Sequence, residues 1–380
     1  MPIATHPIWV DDEATLNQLC LRWASQAAIA VDTEFMRSDT FYPIAGLIQV
    51  GDGHGCYLID PLAIEDLSAL AELWRNERVT KVLHACSEDL EVFNALLGTV
   101  PSPLFDTQIG AAFAGWGYSL GYAALVREQL GVDIPKGETR SDWLVRPLSS
   151  AQKDYAALDV AHLLIVYGKL LKALKDKSRL EWVKADCAAL VEAANAAPEL
   201  DSGHLKIGLG WKLSPRGVEA LQRLCRWREI EARERDIPRN RLLKEQPLFE
   251  MAQRLPADFG ALQRIEGIPR RTLKDDGETL LDIVASARAV ADDALPARLD
   301  PPLGREHGPA IKSMKAWVRE RAEELELPPE VLIRKKEYES IVRAVIAGEV
   351  VLPERLLGWR YGVIGEGLER LATQALEEQQ

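Results

Sequence analysis

A short apolar segment that carries two acidic residues constrains this chain more than any other feature. Residues 28–35 read AIAVDTEF, a run typical of a buried β-strand. Strand alternation places Asp32 and Glu34 on one face and Thr33 on the other. Two like charges about 4 Å apart repel by roughly 4 kcal/mol at an effective dielectric near 20. The segment therefore predicts either a cation held between the carboxylates or a strand that ends at a solvated rim.

The first part of the chain, up to about Lys175, alternates strand-like and helix-like segments. Short apolar runs separated by turn residues predict strands at 28–35, 44–50, 56–60, 79–84 and 104–106. Helical periodicity predicts helices at 64–75, 87–97, 107–114, 120–130 and 149–174. Ser87 is expected to cap the N-terminus of the second of these helices. The first three strands predict a meander, and the whole order predicts an α/β domain with a mixed sheet.

The second half of the chain contains an internal repeat with an offset of ninety positions. The corresponding residues are Trp227 and Trp317, Pro238 and Pro328, Leu242 and Leu332, Lys244 and Arg334, and Gly277 and Gly367. A shared offset over roughly fifty residues predicts two copies of one small helical domain. Segments rich in Pro, Gly and polar residues indicate linkers. The predicted boundaries are 1–197 for the α/β domain, 198–210 and 292–309 for linkers, and 211–291 and 310–380 for the helical domains.

Composition narrows the function only slightly. The net charge of −12 over 380 residues disfavours a nonspecific nucleic-acid coat protein, because polyanion binding usually needs a basic surface. It leaves open an enzyme that binds nucleic acid locally, through metal ions and a few arginines. The five cysteines are scattered without a C-x-x-C pair, which predicts reduced thiols in a cytoplasmic protein. Residues 1–10 lack a secretory pattern, and no run reaches the roughly 18 apolar residues that span a membrane, so we expect no membrane partner.

Two further acidic positions extend the first pair. Asp89 follows the predicted strand 79–84, at the start of a helix, where a lone aspartate is more often a cap than a ligand. Tyr155 and Asp159 are four positions apart in a predicted helix and share one face. Taken alone, this pair also fits the polar edge of an amphipathic helix. The combination of all these positions is what indicates a site.

The patterns D-x-E, H-x-x-x-x-D and Y-x-x-x-D, in this order, resemble the DEDD 3′–5′ exonuclease superfamily in its tyrosine subclass. Neighbouring motifs resemble the ribonuclease D family: Asp32-Thr33-Glu34-Phe35, Tyr42-Pro43, Leu47-Ile48-Gln49, His84-Ala85-Cys86-Ser87-Glu88-Asp89-Leu90, Asp106-Thr107-Gln108 and Arg140-Ser141-Asp142-Trp143. That family also carries C-terminal HRDC domains, which two helical copies would match. The resemblance implies an α/β ribonuclease H-like catalytic domain with a mixed five- to six-stranded sheet, followed by two small all-α HRDC domains.

The resemblance also implies roles for the acids and for the tyrosine. Asp32 would bridge two divalent ions, Mg²⁺ or Mn²⁺. Asp159 and Glu34 would complete the first metal site, and Asp89 would reach the second ion through water. Tyr155 would hold or deprotonate the attacking water. Four carboxylates without a histidine or cysteine cluster suit these ions, which prefer hard oxygen ligands.

Four neighbouring residues are candidates for substrate binding. The backbone around Thr33 would meet the terminal 3′-OH, together with Glu34. Phe35 would stack on a terminal base or sugar, or serve as a core residue of the strand. Gln49 would hold the acid-bearing strand or contact the substrate. His84 would touch a phosphate, although a structural histidine fits equally well.

Other residues are weaker candidates for substrate binding. Arg140 and Trp143 would border the substrate channel, or belong to an ordinary loop with a buried tryptophan. Residues 223–244 hold eight basic residues against four acidic ones. This composition predicts either a basic face for the RNA backbone or a solvated helix with i,i+4 ion pairs.

Three functions compete. The resemblance favours a metal-dependent 3′–5′ exoribonuclease that releases 5′-mononucleotides and trims tRNA precursors and other structured RNAs, with no obligate protein partner implied. A 3′–5′ DNA exonuclease of the proofreading or repair type keeps the chemistry, but the remaining chain has no polymerase or helicase motif. A non-catalytic nucleic-acid-binding module is disfavoured because all four acids and the tyrosine are present.

Overall fold

The computed structural model describes residues 6–135, 137–138 and 141–377. Within them the chain forms two compact units. The first unit contains the described residues up to Met36, Ala45–Asn195 and the residues from Leu303 onward. The second unit contains Arg37–Ile44 and Ala196–Pro302. Each unit is therefore assembled from segments that are separated in the sequence.

Six strands form one mixed sheet. They are β1 (Pro7–Val10), β2 (Ala28–Met36), β3 (Ile44–Gly51), β4 (Cys56–Ile59), β5 (Thr80–Leu83) and β6 (Leu104–Asp106). Their order across the sheet is β1-β4-β3-β2-β5-β6. Strands β3 and β4 pair antiparallel, whereas β1 with β4, β2 with β5, and β5 with β6 pair parallel. The mixed sheet of five to six strands is confirmed, and β1 is a strand that the sequence patterns did not reveal.

Seventeen α-helices occur in the described part of the chain. They are α1 (Glu13–Trp23), α2 (Ser68–Arg75), α3 (Ser87–Leu97), α4 (Thr107–Ala114), α5 (Tyr122–Leu130), α6 (Ser150–Ala161), α7 (Leu163–Asp176), α8 (Leu180–Asn195), α9 (Pro215–Glu234), α10 (Arg239–Leu242), α11 (Glu245–Arg254), α12 (Phe259–Gln263), α13 (Arg270–Arg288), α14 (Gly308–Glu324), α15 (Pro329–Leu332), α16 (Lys335–Ile346) and α17 (Glu366–Glu377). Of the described helices, none combines the length and apolar character needed to cross a bilayer.

Both faces of the sheet are covered by helices. Val31 of β2 packs with Trp23 and Trp74, from α1 and α2, in the core of one face. Ala30 belongs to the core of the opposite face, together with Val160 of α6. Because both faces are buried, β2 begins with a continuous apolar run and not with alternating polar residues.

The C-terminal helices share the core of the first unit. Trp359 stacks on Trp182 of α8, with 4.6 Å between ring centroids and an interplanar angle of 11°. The same indole meets the ring of Phe113 edge-on at 5.4 Å. The guanidinium of Arg360 donates to both carboxylate oxygens of Asp186, at 2.7 and 2.5 Å. The second helical copy is therefore part of the same compact unit as the sheet.

The single helix predicted for 149–174 is wrong, because the chain forms two helices, α6 and α7, that meet at His162. The hydroxyl of Tyr122 donates to the carbonyl of Leu158 at 3.0 Å and accepts from the backbone N–H of His162 at 3.3 Å. These bonds serve backbone groups near the junction, which explains why the chain tolerates the break. The local hydrophobic period continues through the junction and does not reveal it.

Helices α9–α13 form the second unit around their own core, which includes Leu221, Leu248 and Leu280. Ion pairs of the i,i+4 type run along α9 and join Arg223 to Glu219, Arg233 to Glu229, and Arg235 to Glu231. For these arginines the structure matches the ion-paired alternative. Other arginines among residues 223–244 bind partners outside this i,i+4 pattern.

Candidate active site

Three carboxylates from two elements converge beside β2. Asp32 and Glu34 lie on β2 and Asp159 lies on α6, and one carboxylate oxygen from each lies within 4.8 Å of the others. Strand alternation directs Asp32 and Glu34 to the face that carries α6. Tyr155 lies one helical turn before Asp159, so its side chain points to the same place. The D-x-E and Y-x-x-x-D patterns thus come together in space.

Two glycines of β3 let α6 and the loop before it approach the sheet. A Cβ on Gly51 would lie 2.8 Å from the carbonyl oxygen of Val160, the residue after Asp159. A Cβ on Gly46 would lie 2.6 Å from the carbonyl oxygen of Trp143. Side chains here would push the helix outward. Glycine within a strand pattern is the signal that could have indicated this close approach.

Asp89 approaches β2 from α3. Strand β5 pairs with residues 28–30 of β2 and ends at Leu83. The later residues of β2, which include the two acids, therefore extend past the part of the strand that pairs with β5. Asp89 stands in the first turn of α3, and its carboxylate accepts a hydrogen bond from the hydroxyl of Thr33. This bond ties Asp89 to the same strand, and the Asp89 carboxylate is close enough to Asp32 and Glu34 to raise their pKa values by repulsion.

Asp106 supports the position of Asp89 and was noted in the sequence only as part of a motif. Its carboxylate accepts the backbone N–H groups of Ala85 and Cys86, at 3.1 and 3.0 Å. The predicted cap by Ser87 is wrong: Ser87 is the first residue of α3, and Cys86 occupies the cap position. The backbone before the helix is instead held by Asp106, the last residue of β6.

Burial and mutual repulsion raise the pKa values of the four acids. Burial, with repulsion from Asp159 and Asp89, raises the pKa of Glu34 to about 8. Burial raises the pKa of Asp159 to about 7, although the hydrogen bond from Tyr155 lowers it in part. Burial likewise raises the pKa of Asp89 to about 7, although the hydrogen bond from Thr33 lowers it in part. For Asp32, burial and then repulsion from the other three acids raise the pKa well above its usual range.

This electrostatic arrangement fits a divalent cation. Carboxyls with raised pKa values retain protons near neutral pH unless a positive charge replaces those protons. The ligand group of Asp32, Glu34 and Asp159 offers only oxygen, the donor that Mg²⁺ and Mn²⁺ prefer. Among the described residues no other cluster of acidic, histidine or cysteine side chains has metal-ligand spacing.

Packing on two sides holds the ring of Tyr155. A Cβ on Gly137 would lie 2.6 Å from Cδ2 of the tyrosine, so the backbone passes directly over the ring. The ring of Trp143 lies 6.3 Å away between centroids, and its side chain is buried in the core. Trp143 thus matches the alternative of a loop with a buried tryptophan, and Arg140 lies outside the described residues. Burial, with repulsion from Asp159, raises the pKa of Tyr155.

The candidate substrate residues differ in how they are placed. Thr33 is buried with its hydroxyl engaged by Asp89, and Phe35 is half-buried near the end of β2. Gln49 is fully buried on β3, and neither its amide nitrogen nor its amide oxygen has a partner within the described part of the chain. An unpaired buried amide is costly, so Gln49 marks a place where water or substrate would satisfy it.

His84 has protein partners at both ring nitrogens. Its Nδ1 lies 2.9 Å from the hydroxyl of Thr107, and its Nε2 lies 3.0 Å from the carbonyl oxygen of Leu120. Burial lowers the pKa of His84, which favours the neutral ring. This geometry matches the structural alternative for His84.

Two family models match this chain. A 3′–5′ exonuclease model matches residues 7–175, and an HRDC domain model matches residues 218–284. Ribonuclease D of Pseudomonas paraeruginosa is 46% identical over 363 residues, which cover 95% of this chain and 96% of that protein. Ribonuclease D of Escherichia coli is 36% identical over 370 residues, which cover 96% and 97%.

Solved structures agree with these matches. The crystal structure of Escherichia coli RNase D, described as an exoribonuclease involved in structured RNA processing, superposes with a TM-score of 0.90 at 34% identity. The match covers 97% of this chain and 99% of that chain. The catalytic core of RRP6 from Trypanosoma brucei gives a TM-score of 0.57 at 23% identity, over 75% and 80% of the chains, which shows a shared fold alone. The expected fold class is confirmed as a ribonuclease H-like exonuclease domain with a mixed sheet, followed by an HRDC domain and a helical C-terminal part.

Proposed function

Because the chain belongs to the ribonuclease D family and is a 3′–5′ exoribonuclease, we propose that it trims the 3′ ends of tRNA precursors and other structured RNAs, releasing 5′-mononucleotides by metal-dependent hydrolysis. The observation that carries the proposal is the convergence of Asp32, Glu34 and Asp159 beside Tyr155. This group combines metal-type ligands with a hydroxyl donor at one point of the sheet. The processing of structured RNA by the Escherichia coli relative supports the choice of substrate.

We propose that Asp32, Glu34, Asp159 and Asp89 would together hold two divalent ions, Mg²⁺ or Mn²⁺. When bound, such ions activate the attacking water and stabilise the charge that develops on the phosphate. The raised pKa values of Glu34, Asp89 and Asp159 support a cation at this place, because neutralising one acid relieves the others.

Tyr155 is proposed to hold or deprotonate the attacking water, because it lies one helical turn before Asp159 and points to the same place. The backbone around Thr33 and the ring of Phe35 are proposed to bind the terminal nucleotide. Gln49, with its unpaired amide, is proposed to reach the substrate through water.

We further propose that residues 211–291 and 310–380 act as HRDC domains that bind the body of the RNA, following the α/β domain 1–197. The HRDC model match at 218–284 supports the first copy. A cytoplasmic location is proposed because the five cysteines are buried as thiols, which suits a reducing compartment.

The decisive experiment offers 3′-extended tRNA and single-stranded DNA to the wild type, in Mg²⁺ and in EDTA. We expect the RNA to shorten by single nucleotides only with Mg²⁺, and Asp159→Asn to abolish the shortening. Asp154→Asn is the matched control, because it makes the same change at an exposed position of the same helix. Faster loss of the DNA would favour a DNA exonuclease, and full activity of Asp159→Asn would contradict the metal site.

A further inference from the structure

The second unit contains a cavity of about 410 Å³ whose polar lining is rich in arginine. The side chains that matter are three arginines and three neutral hydrogen-bonding residues: Arg37, Arg228, Arg239, Ser38, Thr40 and Asn240. One carboxylate, that of Glu245, also lines the cavity. Three positive charges against one negative charge give the lining a positive balance, although the chain as a whole is acidic.

The segment between β2 and β3 forms one wall of this cavity and is held firmly on the helices of its unit. The carboxylate of Asp236 accepts the backbone N–H groups of Phe41 and Tyr42, at 2.9 and 3.0 Å. The guanidinium of Arg239 lies 4.5 Å from the centre of the Phe41 ring, on which it stacks. The wall is therefore in place before any ligand binds.

Arg228 is the buried charge of the cavity. Its side chain is 8% exposed, and one terminal nitrogen donates to the carbonyl of Leu243 at 3.0 Å. Its Nε has no hydrogen-bond partner within the described residues. A guanidinium keeps its charge at all ordinary pH values, so a buried guanidinium on the cavity lining favours an anionic ligand.

Two acids lie close to the arginines of the cavity, Glu229 and Glu245. Glu229 accepts hydrogen bonds from Arg239 at 2.5 and 2.7 Å and from Arg233 at 2.8 Å. Its carboxylate is thus shared between two arginines. Glu245 is the carboxylate on the cavity lining itself, and it interacts electrostatically with Arg228.

We propose that this cavity binds a phosphate of the RNA backbone. A phosphodiester brings one negative charge and several acceptor oxygens, which match guanidinium groups flanked by hydroxyl and amide donors. The choice of RNA as the polymer rests on the proposed function. In the sequence, Arg37 follows Glu34 by three positions.

The test adds one negative charge to the cavity without changing its shape. Asn240→Asp is nearly isosteric, and an acid is favourable at this place near the start of α10, so the variant should fold. Ser38→Asp adds the same charge from the opposite wall. Gln253→Glu is the matched control, because it makes the same charge change at an exposed position of α11 away from the cavity.

Binding is measured by fluorescence anisotropy in EDTA, with a single-stranded RNA of about twelve nucleotides, within the usual site sizes for single strands. We expect both aspartate variants to weaken binding by about three- to tenfold. The slope of log affinity against log salt concentration should be less steep in these variants than in the wild type, by roughly 0.7 for each phosphate that the cavity no longer binds. Gln253→Glu should bind as the wild type does.

Two results would overturn the inference: wild-type affinity in both aspartate variants, or an equal loss in Gln253→Glu. Failure of this site is separable from failure of the proposed function. If the wild type shortens RNA but both aspartate variants bind it normally, only the phosphate site is wrong. If Asn240→Asp loses affinity but the wild type shortens no RNA in Mg²⁺ or Mn²⁺, only the proposed activity is wrong.

Discussion

Removal of divalent ions should make this protein less stable as the pH rises from about 4 to 8. A carboxyl whose pKa is higher in the folded than in the unfolded chain binds more protons when folded, so its contribution to the free energy of unfolding falls as pH rises between the two values. For Glu34 these pKa values are about 8 when folded and 4.5 otherwise. For Asp159 they are about 7 and 3.8. Added metal should reverse the loss, because a cation removes the repulsion.

The size of the effect follows from the pKa shift. A change of one pKa unit corresponds to about 1.4 kcal/mol, so the shift of Glu34 amounts to about 5 kcal/mol at most. Because the four acids share one site, a proton on one relieves the others, and we expect a total on the order of 5 kcal/mol. A loss of 1 kcal/mol lowers the melting temperature of larger domains by about 2–4 °C, so the full effect amounts to roughly 10–20 °C, and a pH range that starts at 5.5 should show the lower part of it.

The assay is thermal unfolding followed by circular dichroism, in EDTA and in Mg²⁺, near pH 5.5 and near pH 8.5. We expect the wild type in EDTA to melt about 10 °C lower at the higher pH, and Mg²⁺ to restore most of this drop. Asp159→Asn should melt above the wild type in EDTA at the higher pH, because it removes one of the repelling charges. Asp154→Asn should behave as the wild type does.

Equal melting temperatures of the metal-free wild type at the two pH values would refute this reasoning. The same holds if Asp159→Asn melts below the wild type in EDTA near pH 8.5. That outcome would mean that the acids do not repel one another in the folded chain.

Two further predictions concern packing. Gly137→Ala should lower kcat on a short RNA by about ten- to a hundredfold, because its Cβ would lie 2.6 Å from the ring of Tyr155. Gly168→Ala, whose Cβ meets nothing within 4 Å, should leave kcat unchanged, and similar rates for both variants would contradict the role of the close approach. Arg360→Gln should lower the free energy of unfolding in urea by about 3 kcal/mol, because Asp186 loses two hydrogen bonds. A loss below about 1 kcal/mol would show that this ion pair contributes no more than a surface pair.

The acids of the site could be found in the sequence because their signals are local. Asp32 and Glu34 interrupt an apolar strand, and Tyr155 and Asp159 have helical spacing. These patterns place each side chain on a face of its own element. Strand alternation then accounts for Thr33, whose hydroxyl turns away from its neighbours and binds Asp89.

The features that escaped sequence reasoning depend on packing between distant segments. Nothing near Gly137 indicates that its backbone lies on the Tyr155 ring. The helical period across 149–174 continues through His162, where the chain breaks. The assignment of Arg37–Ile44 to the second unit likewise has no local signal, since it depends on the carboxylate of Asp236 almost two hundred residues later.

The position of the C-terminal helices changes how truncations should be designed. A chain cut in the linker after α8 would lose Trp359 and Arg360, and would expose Phe113, Trp182 and Asp186. Loss of activity in such a chain would report damaged folding as much as lost RNA binding. Single substitutions on the surface of the second helical copy are the cleaner test of its contribution to binding.

The same arrangement sets an order of events during protein synthesis. Ala30 of β2 and Val160 of α6 belong to one hydrophobic core with Leu368 and Ala372 of α17. A ribosome makes the acid-bearing strand well before the residues of α17 that share its core. The nascent chain therefore carries the acids of the candidate site well before it has the packing that α17 contributes.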